Sequence, residues 1–126
     1  MHQLGALDNL MIEGEIPNIP LHMSAMMIYA TGGKRGVTRM CDALEERFEG
    51  LIEKHFPILR CRVEDVAMQL DKAYWVEDAQ FNLTYHIKRV ALPKPNNWQQ
   101  VYRLLGQFHA QPLDRARPLW EVMVVE

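Results

Sequence analysis

The chain has 126 residues, 48% of them hydrophobic and 24% charged, with a formal net charge of −2. That size accommodates one domain with one core and is short for two. The charge gives no general attraction to nucleic acid, no apolar run approaches a membrane span, and Met1-His2-Gln3-Leu4-Gly5 lacks the basic and apolar regions of a secretory signal.

Cys41 and Cys61 are widely spaced and read as buried thiols in a reducing compartment, in preference to a disulfide, so the cytoplasm is the expected location. Leu4, Leu7, Leu10 and Met11 recur at helical spacing and predict a short amphipathic helix over 6–13. Two prolines and a glycine break the chain over 14–20. Met23 to Ala30 is apolar on both alternating sets apart from Ser24, which predicts a strand covered on both faces by helices.

Thr31-Gly32-Gly33-Lys34-Arg35-Gly36 reads as a flexible loop. Three glycines beside two cations raise a phosphate cradle, but the P-loop spacing and its Lys-Ser/Thr ending are absent. Thr38 is placed to cap the next helix. Met40, Leu44, Phe48, Leu51, Ile52 and Phe56 form its apolar stripe, the acidic residues between them its solvated face, and Pro57 its stop.

Ile58 to Val63 reads as a strand with Arg60 and Arg62 on one face. Two readings stand: both arginines lie in water, or one points inward to a buried carboxylate. Tyr74-Trp75-Val76 and Leu83 to Val90 read as further strands, and Pro93 to Asn97 as a turn. A helix is predicted over 98–109 with a stripe of Val101, Leu104, Leu105 and Phe108. Gln111 to Glu121 holds two prolines around an Asp-Arg-Ala-Arg turn, and Leu119 to Val125 then reads as a buried strand entered through Pro118. A strand standing at the very end of the chain suggests one piece of a larger molecule. The order helix, strand, helix, strands, helix, strand predicts an α/β fold with a mixed β-sheet layered with helices.

No complete catalytic set is legible. The histidines His2, His22, His55, His86 and His109 include no i, i+4 zinc pair, and no Cys-x-x-Cys occurs, so no metal site is expected. Neither a Gly-x-Ser-x-Gly elbow nor a Gly-x-Gly-x-x-Gly string is present. The eight methionines read as core filler before binding surface. Trp75, Trp98 and Trp120 lack interleaved basic residues, so base stacking has no support.

Several strings nevertheless resemble a family. They are Leu7-Asp8 with Pro20-Leu21-His22-Met23, Pro57-Ile58-Leu59-Arg60-Cys61-Arg62, Phe81-Asn82-Leu83-Thr84-Tyr85-His86-Ile87-Lys88-Arg89, Leu92-Pro93-Lys94-Pro95, and Pro112-Leu113-Asp114 through Pro118-Leu119-Trp120-Glu121. Their order and spacing resemble the bacterial wax ester synthase/diacylglycerol acyltransferase family over essentially the whole chain. The last string is the most specific. Asn82 and Asn97 depart from the Asp and Gly usual at those places.

The resemblance implies the N-terminal part of a two-domain, CoA-dependent acyltransferase-like fold, with residues 1–126 an incomplete N-terminal segment and the active site in a tunnel between the halves. It implies acyl transfer from a fatty acyl-CoA to a long-chain alcohol or a diacylglycerol, with acyl-CoA as a substrate and no further cofactor. The family's His-His-x-x-x-Asp-Gly motif has no counterpart here, so no catalytic residue is carried over. Leu59-Arg60 fits the string whose arginine pairs with the motif's Asp, so Arg60 is expected to buttress the catalytic loop. Pro118, Leu119 and Trp120 are expected to position the strand feeding it, and Met23, Met27 and Trp120 to line the tunnel; for Met23, Met27 and Trp120 a plain core role stands beside that one. The implied partners are the two substrates and the remainder of the same acyltransferase, with a peripheral contact to membrane or lipid droplets. Two other functions are kept in view: a non-catalytic lipid-binding or assembly module of the same fold, and a related acyltransferase with a different acceptor.

Overall fold

The computed structural model describes residues 1–16 and 19–126. In chain order it contains β1 (His2–Gln3), α1 (Ala6–Gly14), α2 (Lys34–Lys54), a 3-10 helix (Pro57–Arg60), β2 (Cys61–Glu64), a second 3-10 turn (Ala67–Gln69), β3 (Tyr74–Glu77), α3 (Leu83–His86), β4 (Ile87–Val90), α4 (Trp98–Ala110) and β5 (Val122–Val125). This is a mixed α/β architecture. The mixture of strand directions lies between two small sheets, an antiparallel one ordered β1-β3-β2 and a parallel pair β4-β5. No helix among the described residues is long and apolar enough to cross a membrane.

In the antiparallel sheet Cys61 stands opposite Glu77 and Val63 opposite Trp75. The Leu4 N–H donates to the Ala73 carbonyl at 2.9 Å. Leu4, Val63 and Ala73 form a buried core, and Ile12, Trp75 and Leu119 pack against it. Ile12 therefore carries the inward face of α1. Leu7 and Leu10, assigned by periodicity to that face, are exposed at 68% and 67%.

A parallel pair cannot be closed by a hairpin, and α4 supplies the crossover between β4 and β5. Its start is set by Asn97, which forms a capping box with Gln100. The residue before it, Asn96, takes φ 53, a left-handed value that Asn tolerates. The predicted stripe of Val101, Leu104, Leu105 and Phe108 is half-buried.

Helix α2 begins four residues before the predicted Thr38 cap, so Thr38 lies inside it. Gly33 takes the N-cap with φ 103, a conformation open to glycine. Gly36 answers a different demand, since a Cβ there would lie 1.6 Å from the Thr31 carbonyl oxygen. These backbone requirements account for the two glycines without a phosphate. Cys41 and Ile52 are buried on α2, with Leu44 and Phe48 half-buried between them. Leu51 and Phe56, placed in the stripe by spacing, face solvent.

Four predicted strands need correction. Residues 21–30 hold no regular element, and Met23 and Met27 are 90% and 72% exposed. Apolar alternation specifies burial but names no pairing partner, and no described strand pairs with this stretch. The same exposure, with that of Met1, Met26 and Met68, overturns the reading of the methionines as core filler for these five. Pro57–Arg60 winds as a 3-10 helix, so β2 begins only at Cys61. Leu83–Val90 splits, because the Asn82 side chain accepts the Thr84 N–H at 3.0 Å and starts one helical turn before β4. Leu119–Val125 is shortened: the Trp120 N–H turns back to the Pro118 carbonyl at 2.9 Å, and the ladder begins at Val122. The predicted break over 14–20 contains an isolated bridge between Ile16 and Ile19, and Pro17 and Asn18 lie outside the described residues.

Candidate functional site

Three consecutive residues reach into different surroundings. Pro118 is buried, which suits a residue with no N–H to satisfy. Leu119 packs on the Leu4–Val63–Ala73 core. Trp120 instead enters an aromatic cluster, 4.5 Å from the His86 ring at an interplanar angle of 18° and 5.5 Å from the Phe48 ring at 20°. Phe81 stacks on His86 at 5.3 Å, and Tyr85 meets His86 edge-on at 5.4 Å. Each such pair adds roughly 0.5–1.5 kcal/mol beyond the area it buries.

Two hydrogen bonds orient the cluster. His86, 1% exposed, places Nδ1 2.7 Å from the Trp120 carbonyl oxygen. A carbonyl only accepts, so Nδ1 carries the proton. The Trp120 indole N–H donates to the Leu59 carbonyl at 2.8 Å. The tryptophan thus ties β5's entry to the residue preceding Arg60.

Arg60 and Arg62 part company. Arg62 makes an exposed ion pair with Glu64 at 2.7 Å. Arg60 has its Nε buried with no hydrogen-bond partner, and its guanidinium carbon stands 5.4 Å from the Phe81 ring centroid. An unpaired buried donor costs about 1–3 kcal/mol, so an acceptor reaching Arg60 would be stabilising. Arg60 lines an open cleft of about 890 Å³ between residues 80–84 and the acidic face of α2, where Asp42, Glu45, Glu46, Glu49 and Glu53 stand. On that same face Glu45 and Asp42 accept from Arg89 at 2.8 and 3.2 Å, which pushes the Arg89 guanidinium further up from its already high range.

The Asp-Arg-Ala-Arg turn is clamped on two sides. Asp114 Oδ1 accepts the Ala116 N–H and its carbonyl accepts the Arg117 N–H, both at 3.0 Å. Arg117 lies 3.8 Å over the Tyr85 ring, and Arg115 donates to the Ile12 carbonyl at the other side. Lys88 donates to both oxygens of Glu121 at 2.9 Å and passes 5.4 Å from the same Tyr85 ring.

Away from this site, Ser24 Oγ is 2.8 Å from His109 Nδ1, and His22 meets the His109 ring edge-on at 5.0 Å. No group of three metal-ligating side chains converges among the described residues. Both cysteines are free; burial, and then the Glu77 carboxylate opposite, push the Cys61 thiol up.

The structure therefore bonds Trp120 to Leu59, the residue before Arg60, with Pro118 and Leu119 on the chain just ahead of the tryptophan. Met23 and Met27 stay on the surface. The sequence reading missed His86, which alternates with Thr84 and Lys88 as an ordinary strand residue would. Its neighbours Phe81 and Tyr85 were the available signal of an aromatic cluster. The departures at Asn82 and Asn97 are both helix N-caps, a role Asn fills as well as Asp and better than Gly.

A family model described as wax ester synthase/diacylglycerol acyltransferase catalytic domain matches residues 4–126. A Mycobacterium tuberculosis protein provisionally named a diacylglycerol O-acyltransferase is 32% identical over 129 residues, covering all of this chain and 25% of the relative. A second from that organism, also provisionally named so, is 39% identical over 85 residues, covering 68% of this chain and 31% of the relative. The solved wax ester synthase/diacylglycerol acyltransferase from Marinobacter aquaeolei VT8 superposes with a TM-score of 0.73 at 25% identity, over all of this chain and 29% of that one. The chain thus spans about a quarter to a third of the length of these proteins. With residues 4–126 matched and the Pro118-Leu119-Trp120 string set into its fold, the chain belongs to the wax ester synthase/diacylglycerol acyltransferase family.

Proposed function

We propose that these residues are the N-terminal scaffold of an O-acyltransferase that moves a fatty acyl group from acyl-CoA to a long-chain alcohol or a diacylglycerol. In that reaction the hydroxyl oxygen attacks the thioester carbonyl carbon, a histidine takes the hydroxyl proton, and the CoA thiolate leaves. The histidine would come from the family's His-His-x-x-x-Asp-Gly motif, which these 126 residues do not contain. The observation that carries the reading is Arg60, whose buried Nε has no acceptor and whose neighbour Leu59 is held by Trp120. A carboxylate from the motif's Asp would complete it and hold the catalytic loop. Pro118, Leu119 and Trp120 then support the strand leading to that loop. Met23 and Met27, bare on residues 21–30, join Trp120 in the tunnel wall once further chain covers them. Lipid substrates bring the enzyme to membrane or lipid-droplet surfaces.

The test is ester formation by the intact protein, supplied with a long-chain acyl-CoA and either acceptor and read by product analysis. Arg60→Ala lowers turnover by about tenfold or more at unchanged fold. Full activity in Arg60→Ala, or turnover by residues 1–126 alone, overturns the proposal. Lipid binding without ester formation would put the non-catalytic module in its place.

A further inference from the structure

We infer that His86 is a positioning residue for this site: it sets the place of Trp120 and, through the indole N–H on the Leu59 carbonyl, the place of Arg60. One imidazole holds both parts of the tryptophan. Its Nδ1–H bonds the Trp120 main-chain carbonyl at 2.7 Å, and its face lies against the Trp120 indole at 4.5 Å and 18°. Phe48 of α2 also stacks on the indole, at 5.5 Å and 20°. The indole therefore stacks with two rings, and its backbone is pinned by one of them.

His86 is itself fixed. It ends α3, and the next residue, Ile87, starts β4 opposite Val122 of β5. Phe81 stacks on it at 5.3 Å, Tyr85 meets it edge-on at 5.4 Å, and at 1% exposure it is closed to solvent. Any displacement of the ring is transmitted to the indole and so to the Leu59 carbonyl, one peptide from the arginine whose Nε awaits an acceptor. Phe81 adds a second route, because it touches both the His86 ring and the Arg60 guanidinium. Packing alone would call for a phenyl ring at this position. The Nδ1–H is what a phenyl ring could not supply.

Two variants separate the ring from the donor. His86→Phe keeps a stacked ring and loses the N–H; His86→Asn loses the ring and keeps an N–H close to the Nδ1 position. The first readout is hydrogen exchange at the Trp120 indole N–H, which needs no activity. We expect exchange to accelerate by about tenfold in His86→Phe and to stay near the unsubstituted rate in His86→Asn. The second readout rests on the proposed acyl transfer and uses the intact protein: in His86→Phe kcat falls about tenfold while KM stays within about twofold, and His86→Asn regains most of the loss. A folded His86→Phe with unchanged indole exchange and unchanged kcat overturns the inference. Should His86→Phe not fold, His86→Asn decides: retained indole protection supports the inference, and lost protection overturns it. If the unsubstituted protein makes no ester, the proposed function falls, while the exchange measurement still judges His86.

Discussion

The indole N–H of Trp120 donates to the carbonyl of Leu59 at 2.8 Å, across sixty-one positions of chain. This bond joins the most specific string of the sequence to the residue beside Arg60. Trp120→Phe keeps an aromatic ring beside His86 and Phe48 but leaves the Leu59 carbonyl without its donor. The expected loss is about 1 kcal/mol, the lower end for an unpaired acceptor because the site is only part-buried. It is read as a lower denaturant midpoint at constant slope. An unmoved midpoint would mean that the bond contributes nothing.

Two glycines of α2 predict opposite signs. Gly36→Ala drives a methyl into the Thr31 carbonyl and is expected to destabilise by roughly 1–3 kcal/mol. Gly50, in the same helix, has open space where a methyl would stand, with nothing within 4 Å. Gly50→Ala is therefore expected to stabilise by about 0.4–1 kcal/mol, through the unfolded chain's lost freedom. Thermal unfolding of the two variants, compared with the parent, shows whether the signs differ.

The Cys61 thiol should alkylate slowly at neutral pH. Burial, and then the Glu77 carboxylate, raise its pKa above the ordinary thiol value, so less thiolate is present at a given pH. The rate of reaction with iodoacetamide is expected to climb only at a higher pH than for a free thiol. Glu77→Gln removes the smaller of the two causes and moves that climb partway back toward the ordinary value. A climb at or below the free-thiol pH would contradict the assignment. Cys41, fully buried, should label only on unfolding.

Met23→Ser and Met27→Ser are expected to change the stability of this chain by less than about 0.5 kcal/mol, as for surface positions. A loss of several kcal/mol in chemical denaturation would show that these side chains are covered in solution.

The helices were the most legible part of the fold, because a 3.6-residue apolar period needs only its own segment to be read. Helices α1, α2 and α4 all appear, and of the three α4 has a side-chain cap at its start. Asn97 with Gln100 is a cap the eye can find; Gly33 at φ 103 is not, since glycine has no side chain to announce the role. Strands fared worse for a physical reason. Residues 23–30 alternate as a buried strand does, yet a strand exists only through its neighbour. Asn82 and Pro118 each bend a predicted strand by one local hydrogen bond, outweighing the β-propensity that follows. In the site, alternation alone left Arg60 and Arg62 equivalent and the family resemblance singled out Arg60; the 3-10 helix that ends at Arg60 is what breaks their shared strand face. For His86 the neighbouring aromatics signalled a cluster, but its role was not legible, because that role is defined by a carbonyl thirty-four residues away.

Leu119 and Trp120 sit side by side and serve separate interiors, one in the aliphatic core and one among the rings. Transposing them conserves mass, charge and mean hydropathy, yet it pushes an indole toward a space shaped for leucine and strips the Leu59 carbonyl of its donor in the same stroke. The order of this dipeptide thus carries information that its composition does not, and a register error of a single residue would damage two interiors together.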